Sequence, residues 1–325
     1  MTTLERPQPA ASMRQRTDAG GDRWRRLRQR IRRDRVLLVL AVPGILLIVV
    51  FRYVPLLGNV TAFEDYQPYL GFADSVWVGL QNFAAIFADP NFWNALKNTA
   101  IITVLQVVFV FPAPIVLALL LNSLLSERVK KVVQSVLYLP HFLSWVMVVA
   151  ICQQLVGGAG VLNNTLRGAG LDTVHVIGNS GAFYGLVTAQ VIWKDTGWAT
   201  ILFLAALSQI DNALYEAASV DGAGRWRQTW HITLPGLRSI IILLLILRLG
   251  DILSVGFEQI LLQQSAVGAR ASEVLDTYVY NYGILGGEWG QAAAVGLIKG
   301  VVGVLLVVGA NKTAHLFGEP GLYQK

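Results

Sequence analysis

Two sets of residues in this chain have the types and spacing to do chemistry. The first lies inside or at the ends of long apolar runs: Gln190, Trp193, Lys194, Asp195 and Trp198, then Arg248 and Asp251, then Glu258 and Gln259, then Lys299. A charge at the centre of a lipid-embedded helix costs about 2.5–3.5 kcal/mol by insertion scales, so such a residue either marks a path or belongs to a buried pair. Arg248 and Asp251 are three apart and share a helix face, which favours a self-neutralising pair. Lys194 and Asp195 are adjacent, pointing about 100° apart on a helix, so at least one must seek another helix or a cargo. Trp193 and Trp198 would stack on the apolar faces of sugar rings; an interfacial anchor is an equally ordinary use.

The second set is the polar stretch EAASVDGAGRWRQTWHITLP at 216–235, set between two apolar runs. Asp211 is a good N-cap for a short helix carrying Ala213, Leu214, Ala217 and Ala218, and Glu216 lies in its early turns, where a carboxylate favours the dipole. Gly222 and Gly224 permit a reversal, an amphipathic segment follows, and Pro235 suits the first turn of the next span. Such a kinked pair is a convex knob able to enter a groove on another protein. A connector lying on the membrane would read the same way.

What must hold these residues in place is a membrane bundle. Of 325 residues, 54% are hydrophobic and only 14% charged, with a mean hydropathy of +0.53, whereas a soluble domain carries about 25% charged residues. Six apolar runs approach the roughly 20 residues that cross a bilayer, at 36–58, 99–121, 132–155, 182–207, 237–254 and 290–310. In lipid each must satisfy its own backbone, so the fold class is all-α and polytopic, with six transmembrane helices. Flanking them are an arginine-rich tail at 1–35 and a short tail at 313–325, leaving a transmembrane domain at 36–312 and a candidate docking region at 211–235.

Charge sets the orientation. The first tail holds 11 arginines, and with Arg128, Lys130, Lys131, Arg225, Arg227, Arg238, Lys312 and Lys325 one side collects 19 of the 26 lysines and arginines. The positive-inside rule then puts both termini in the cytoplasm of a multi-pass protein, as an even span number also requires. The basic tail abuts a lipid span, which favours contact with anionic headgroups of membrane lipid over nucleic acid. A cleaved signal peptide fits poorly, because the first run is long and lacks a small-x-small cleavage site. A lone cysteine, Cys152, excludes an intrachain disulfide and a thiolate metal cluster. There is no GxxxxGK[ST] loop and no HExxH pattern, and the histidines are scattered, so no catalytic residue, metal site or resident cofactor is expected.

Two loops on the other side are long. Residues 61–96, with Trp77, Phe83, Phe87, Phe92, Trp93 and the Asp89-Pro90 break, suggest short interfacial helices and turns. Residues 257–289 combine Glu258, Glu273, Asp276 and Glu288 with Tyr278, Tyr280 and Tyr282, a surface suited to sugars or a soluble partner, or an aromatic belt.

The order Glu216-Ala217-Ala218, three residues, Gly222, nine residues, Ile232, one residue, Leu234-Pro235 matches at every spaced position the EAA motif of permease subunits in bacterial ATP-binding-cassette (ABC) importers. WVGLQNFAAIFADPNFWNALKNT at 77–99 resembles the outer loop of the carbohydrate-uptake (MetI-like) permeases, and SVGFEQI at 254–260, SEVLDTYVY at 272–280 and GEPGLY at 318–323 resemble the LplB-type subgroup associated with oligosaccharide uptake. Nearly everything after residue 34 is covered; the arginine-rich tail is not.

The resemblance implies a type I importer permease in the bacterial cytoplasmic membrane, translocating an oligosaccharide, with plant or algal polysaccharide fragments, acidic ones among them, favoured over simple monosaccharides. It implies that 211–235 is the coupling helix region seated in a cytoplasmic ABC ATPase dimer. There Glu216 faces basic groups, Ala217 and Ala218 give close approach, Gly222 makes the turn, Asp221 and Ala223 belong to the same ATPase-coupling set, and Pro235 fixes where the membrane helix begins. ATP and magnesium would bind the partner ATPase and none would bind this chain. A second, non-identical permease and an extracytoplasmic solute-binding protein complete the implied partners. An ion-coupled secondary transporter is the alternative; it would normally show repeated halves around a midplane ion site, and no such repeat is evident. A membrane scaffold would not need charges within several spans.

Overall fold

A computed structural model describes residues 33–124, 126–316, 318–319 and 321–322. Most of the arginine-rich tail, Lys325 and parts of the closing GEPGLY segment fall outside the described residues. The chain divides into two compact units, 1–59 and 60–325. The first holds α1 (Arg35–Ile48), a π turn (Val49–Tyr53) and the start of a 3-10 stretch (Val54–Phe63). This unit is apolar on every face of its helix, as a lipid-exposed span must be.

The second unit opens with a two-stranded antiparallel ladder, β1 (Glu64–Asp65) against β2 (Val76–Trp77), with α2 (Gly71–Asp74) between them. This ladder, two residues on each side, is a local feature of a chain that is otherwise helical. It is followed by α3 (Gln81–Ala88), α4 (Pro90–Leu105), a π turn (Gln106–Val110), α5 (Ala113–Asn122), α6 (Glu127–Tyr138), a 3-10 turn (Leu139–Phe142), α7 (Trp145–Val156) and α8 (Val161–Gly168). The rest comprises α9 (Phe183–Leu207), α10 (Asn212–Val220), α11 (Arg225–Gln228), a π turn (Thr229–Thr233), α12 (Leu234–Gly250), α13 (Phe257–Val267), α14 (Ala269–Ser272), α15 (Leu275–Tyr278), a π stretch (Val279–Leu285) and α16 (Trp289–Leu316).

Among the described residues, five helical runs are long and apolar enough to cross a membrane: Arg35–Phe63, Pro90–Asn122, Trp145–Gly168, Arg225–Gly250 and Trp289–Leu316. The fourth expected span is α9, whose 25 residues reach about 37 Å. Gln190, Lys194 and Asp195 lower its hydropathy, so it has the length of the expected span but is not among the five apolar runs.

The second and third spans differ from the sequence reading, each for a backbone reason. The second span begins at Pro90 rather than 99, because the Asp89 carboxylate accepts the Asn91 N–H at 2.9 Å and Pro90 needs no partner in a first turn. Residues 90–96 therefore belong to the helix and not to the loop. The third run, 132–155, is broken. Pro140 cannot continue the α6 ladder, the chain passes through a 3-10 turn, and Ser144 restarts it by capping Met147 N–H at 3.3 Å.

The packing is organised along α9. Its Phe203 and Leu207 close on Ala118 and Leu237, and its Phe183 and Val187 on Ile102, Val255, Ile260 and Val274. A third cluster joins Ile86, Phe92, Ala95, Leu275, Tyr278, Ala294 and Val295. Gly197 lets α9 touch the α6 backbone: a Cβ there would lie 2.0 Å from the Leu137 carbonyl oxygen. Within the 257–289 segment, burial pushes the Glu273 carboxyl above the usual range, partly offset by the Asn281 amide at 3.2 Å. Large apolar side chains such as Val301, Val304, Leu305 and Val308 of α16 stay exposed, the expected finish for a surface solvated by lipid.

Candidate functional site: an exposed knob and an intramembrane cluster

The 211–235 region is a knob held by its own hydrogen bonds. The Asp211 carboxylate accepts the Ala213 N–H at 2.9 Å and starts α10. Gly222, with φ at +75°, ends it: Ala223 N–H donates to Ala218 C=O at 2.8 Å and Gly222 N–H to Ser219 C=O at 3.1 Å, the paired bonds of a Schellman cap. A side chain with a Cβ would be strained at that φ. Gln228 then donates to the Ser219 hydroxyl at 2.9 Å and to Ala223 C=O at 3.0 Å, folding α11 back on α10. The Tyr215 hydroxyl meets that of Thr233 at 3.0 Å, fastening the knob to the base of α12.

Glu216, Ala217, Asp221 and Gly222 are exposed, and Ala218 and Ala223 half-buried. The exposed side of α10 thus combines the small Ala213, Ala217 and Ser219 with one carboxylate, Glu216, and the aliphatic Leu214 and Val220. Pro235 falls in the first turn of α12 as expected, but the helical run containing it begins ten residues earlier, at Arg225. The π turn at Thr229–Thr233 absorbs the register change that Pro235 forces by lacking an N–H. At its other end the fifth span stops at Gly250, with Asp251 as its C-cap, rather than at 254.

The intramembrane residues divide into separate groups. Asp195 accepts or shares a proton with His141 Nδ1 at 2.9 Å, and Lys194 Nζ donates to His141 C=O at 2.6 Å while lying 3.9 Å from Asp195. The His141 ring stacks on Trp198 at 4.8 Å and 4°, and Lys194 Nζ sits 5.5 Å from the Trp145 ring centre. The Pro140 break in the third run is what aims the His141 backbone and ring at α9. A proline in that run was the only sequence signal that could have singled out His141.

Arg248 does not pair with Asp251. Its guanidinium bonds Gln106 Oε1 across the bundle, because Asp251 has already left the helix as the C-cap of α12. Asp195, Arg248 and Asp251 nevertheless converge on one cavity of about 370 Å³, walled by Val110, Phe111, Pro114, Val191, Phe203, Leu244 and Leu247. Trp193 faces a different, apolar cavity of about 470 Å³ with Pro140 and Leu143. Gln190 belongs to a buried amide cluster: it accepts from Gln259 at 2.7 Å and from Gln263 at 3.0 Å, locking α13 to α9. Gln263, four residues after Gln259, could have been found from that spacing. Lys299 is tied to Asp276, and Glu258 is exposed, so neither joins the cavity. Among the described residues no group of three or more His, Cys, Asp or Glu side chains could hold a metal ion.

Residues 110–312 match the family described as binding-protein-dependent transport system inner membrane component. The chain is 44% identical to Protein LplB of Bacillus subtilis (strain 168) over 294 residues, covering 90% of this chain and 92% of that protein. It is 43% identical to the polygalacturonan/rhamnogalacturonan transport system permease protein YteP of the same organism, covering 93% and 94%. Among solved structures it superimposes, with a TM-score of 0.82 and 36% identity over 91% of this chain and 100% of the other, on a chain of the bacterial alginate ABC transporter in complex with alginate pentasaccharide-bound periplasmic protein.

Proposed function

The chain belongs to the binding-protein-dependent transport system inner membrane component family, and from that premise we propose that it is the permease half of an ATP-driven importer for acidic oligosaccharides. It is an ABC permease subunit that leaves ATP hydrolysis to a separate ATPase, works beside a second permease and receives cargo from a solute-binding protein. That division of labour sets aside the ion-coupled alternative.

The finer reading concerns mechanism, orientation and residues. The transport domain spans 36–312 in the cytoplasmic membrane, with both termini and the 211–235 knob in the cytoplasm. Closure of the ATPase dimer pulls the knob, and the helices rock between inward-open and outward-open states. The observation that carries this is the knob itself: a rigid, doubly capped helix with Glu216 and Ala217 exposed and a tyrosine fastening it to α12. ATP and magnesium act at the partner ATPase.

Cargo chemistry follows from the cavity. The names of two similar proteins refer to alginate and to polygalacturonan, both uronate polymers. Arg248 would take a sugar carboxylate, while Asp195, held by His141, and Asp251 would accept sugar hydroxyl hydrogens. Of the other residues, Gln190 and Gln259 position α13, and Trp198 positions His141.

The test is reconstitution of the four-component transporter in vesicles, with uptake and ATP hydrolysis measured together. Ala217→Trp should abolish stimulation of hydrolysis by cargo-loaded binding protein and lower uptake at least tenfold, with the subunit still assembled in the membrane. Normal uptake by that variant would sink the docking role of the knob.

A further inference from the structure

Where the helical run Pro90–Asn122 ends and the run Arg225–Gly250 begins, two cavities open side by side. One, of about 250 Å³, is the more polar of the two, and its lining includes Asn122, Tyr215, Arg225, Gln228 and Thr233. The other, of about 500 Å³, is an apolar groove whose walls include Val116, Leu120, Trp226, Trp230 and Leu234. They share Leu119, Ser123 and Thr229, so they form one continuous amphiphilic depression.

The polar end has one charged residue, Arg225, and no carboxylate. Among the described residues the Arg225 guanidinium has no hydrogen-bond or ion-pair partner, whereas Tyr215, Gln228 and Thr233 are already bonded to each other or to α10. The apolar end is built by two tryptophans stacked at 6.0 Å and 14°, which remain 76% and 59% exposed. Stacked indoles at a span terminus sit at headgroup depth, where tryptophan is enriched. An unpaired guanidinium at the same depth seeks a phosphate, which it can grip with two N–H groups.

We propose that this depression binds one anionic glycerophospholipid, with the phosphodiester at Arg225 and an acyl chain along Val116, Leu120 and the Trp226–Trp230 face. The ligand comes from the leaflet on the same side as the 211–235 knob. Because Gln228 and Tyr215 line the headgroup end and also brace the knob, bound lipid stiffens the knob's base and makes coupling depend on membrane charge. This inference goes beyond the transport reading and rests on it only in that the chain lies in a bilayer.

The purified four-component complex, equilibrated in detergent with phosphatidylglycerol or with phosphatidylcholine, tests it by native mass spectrometry of retained lipid. The unsubstituted complex should keep phosphatidylglycerol in preference to phosphatidylcholine. Arg225→Gln should lower phosphatidylglycerol retention about tenfold, the loss expected for one charge-assisted hydrogen bond. Arg225→Lys should restore most of it, and Trp230→Ala should weaken retention of both lipids. A photo-crosslinking side chain at Val116 should label lipid. Retention unchanged in both Arg225→Gln and Trp230→Ala would overturn the proposal, and so would capture of the second permease by the Val116 probe. Because retention is read without transport, failure of the importer reading and failure of this site give different results.

Discussion

Single residues in this bundle are constrained most where backbones touch. Gly197 faces the Leu137 carbonyl oxygen so closely that a Cβ would lie 2.0 Å away, and because the obstacle is backbone, no side chain can swing aside. Gly197→Ala should therefore push α9 from α6 and cost about 1–3 kcal/mol, the usual cost of overpacking. In detergent this reads as a lower unfolding temperature for the variant, and an unchanged temperature would show the contact to be slack. The same displacement would loosen His141 from Asp195, since Asp195 lies on α9 and His141 on the 3-10 turn that continues from α6. How visible this was beforehand differs by residue. Lys194 and Asp195 could be flagged from sequence, because charge inside an apolar run is a local signal. Their partner could not, because His141 lies 53 and 54 positions away and pairing depends on the break at Pro140. Arg248 shows the opposite error. Helical spacing favoured Asp251, yet α12 stops at Gly250 and the guanidinium reaches Gln106 instead.

At the scale of elements, the knob was legible because its signals are chemical and close together. Asp211 begins α10, Gly222 ends it and Pro235 opens α12, each by a backbone rule that acts within a few residues. Span boundaries were less legible, since a hydropathy run does not register a cap or a proline. Pro90 extends the second span outward and Pro140 divides the third, for the same reason that proline lacks a donor. The caps of α10 have a measurable role. A nine-residue helix is too short to hold itself in water, so its order comes from the Asp211 cap, the Schellman bonds and the Tyr215 and Gln228 braces. Asp211→Ala should cost about 1 kcal/mol of local stability. Hydrogen exchange across 212–220 should quicken about fivefold in the assembled transporter, with uptake per ATP falling in step. Unchanged exchange would mean that docking in the ATPase, not the cap, holds this helix.

For the whole molecule, the polar groups of the spans separate into those satisfied by one another and those that line open space. Gln190, Gln259 and Gln263 close on each other, and Lys299 closes on Asp276, so these polar groups fasten α13 to α9 and the 257–289 loop to α16. Asp195, Arg248 and Asp251 instead leave polar atoms facing a shared cavity, which a structural role would not require. Arg248 is the one cation among them, and its contact with the neutral Gln106 leaves the positive charge free to meet an anion. If uronate carboxylates pass this point, Arg248→Gln should slow uptake of an acidic oligosaccharide about tenfold or more. A neutral oligosaccharide of the same length, presented by the same reconstituted complex, should be affected much less. Arg248→Lys should recover part of the acidic-cargo rate, because charge returns without the two-pronged geometry. Equal loss for acidic and neutral cargo would make Arg248 a bundle-holding residue like Lys299, and the cavity would then select by shape alone.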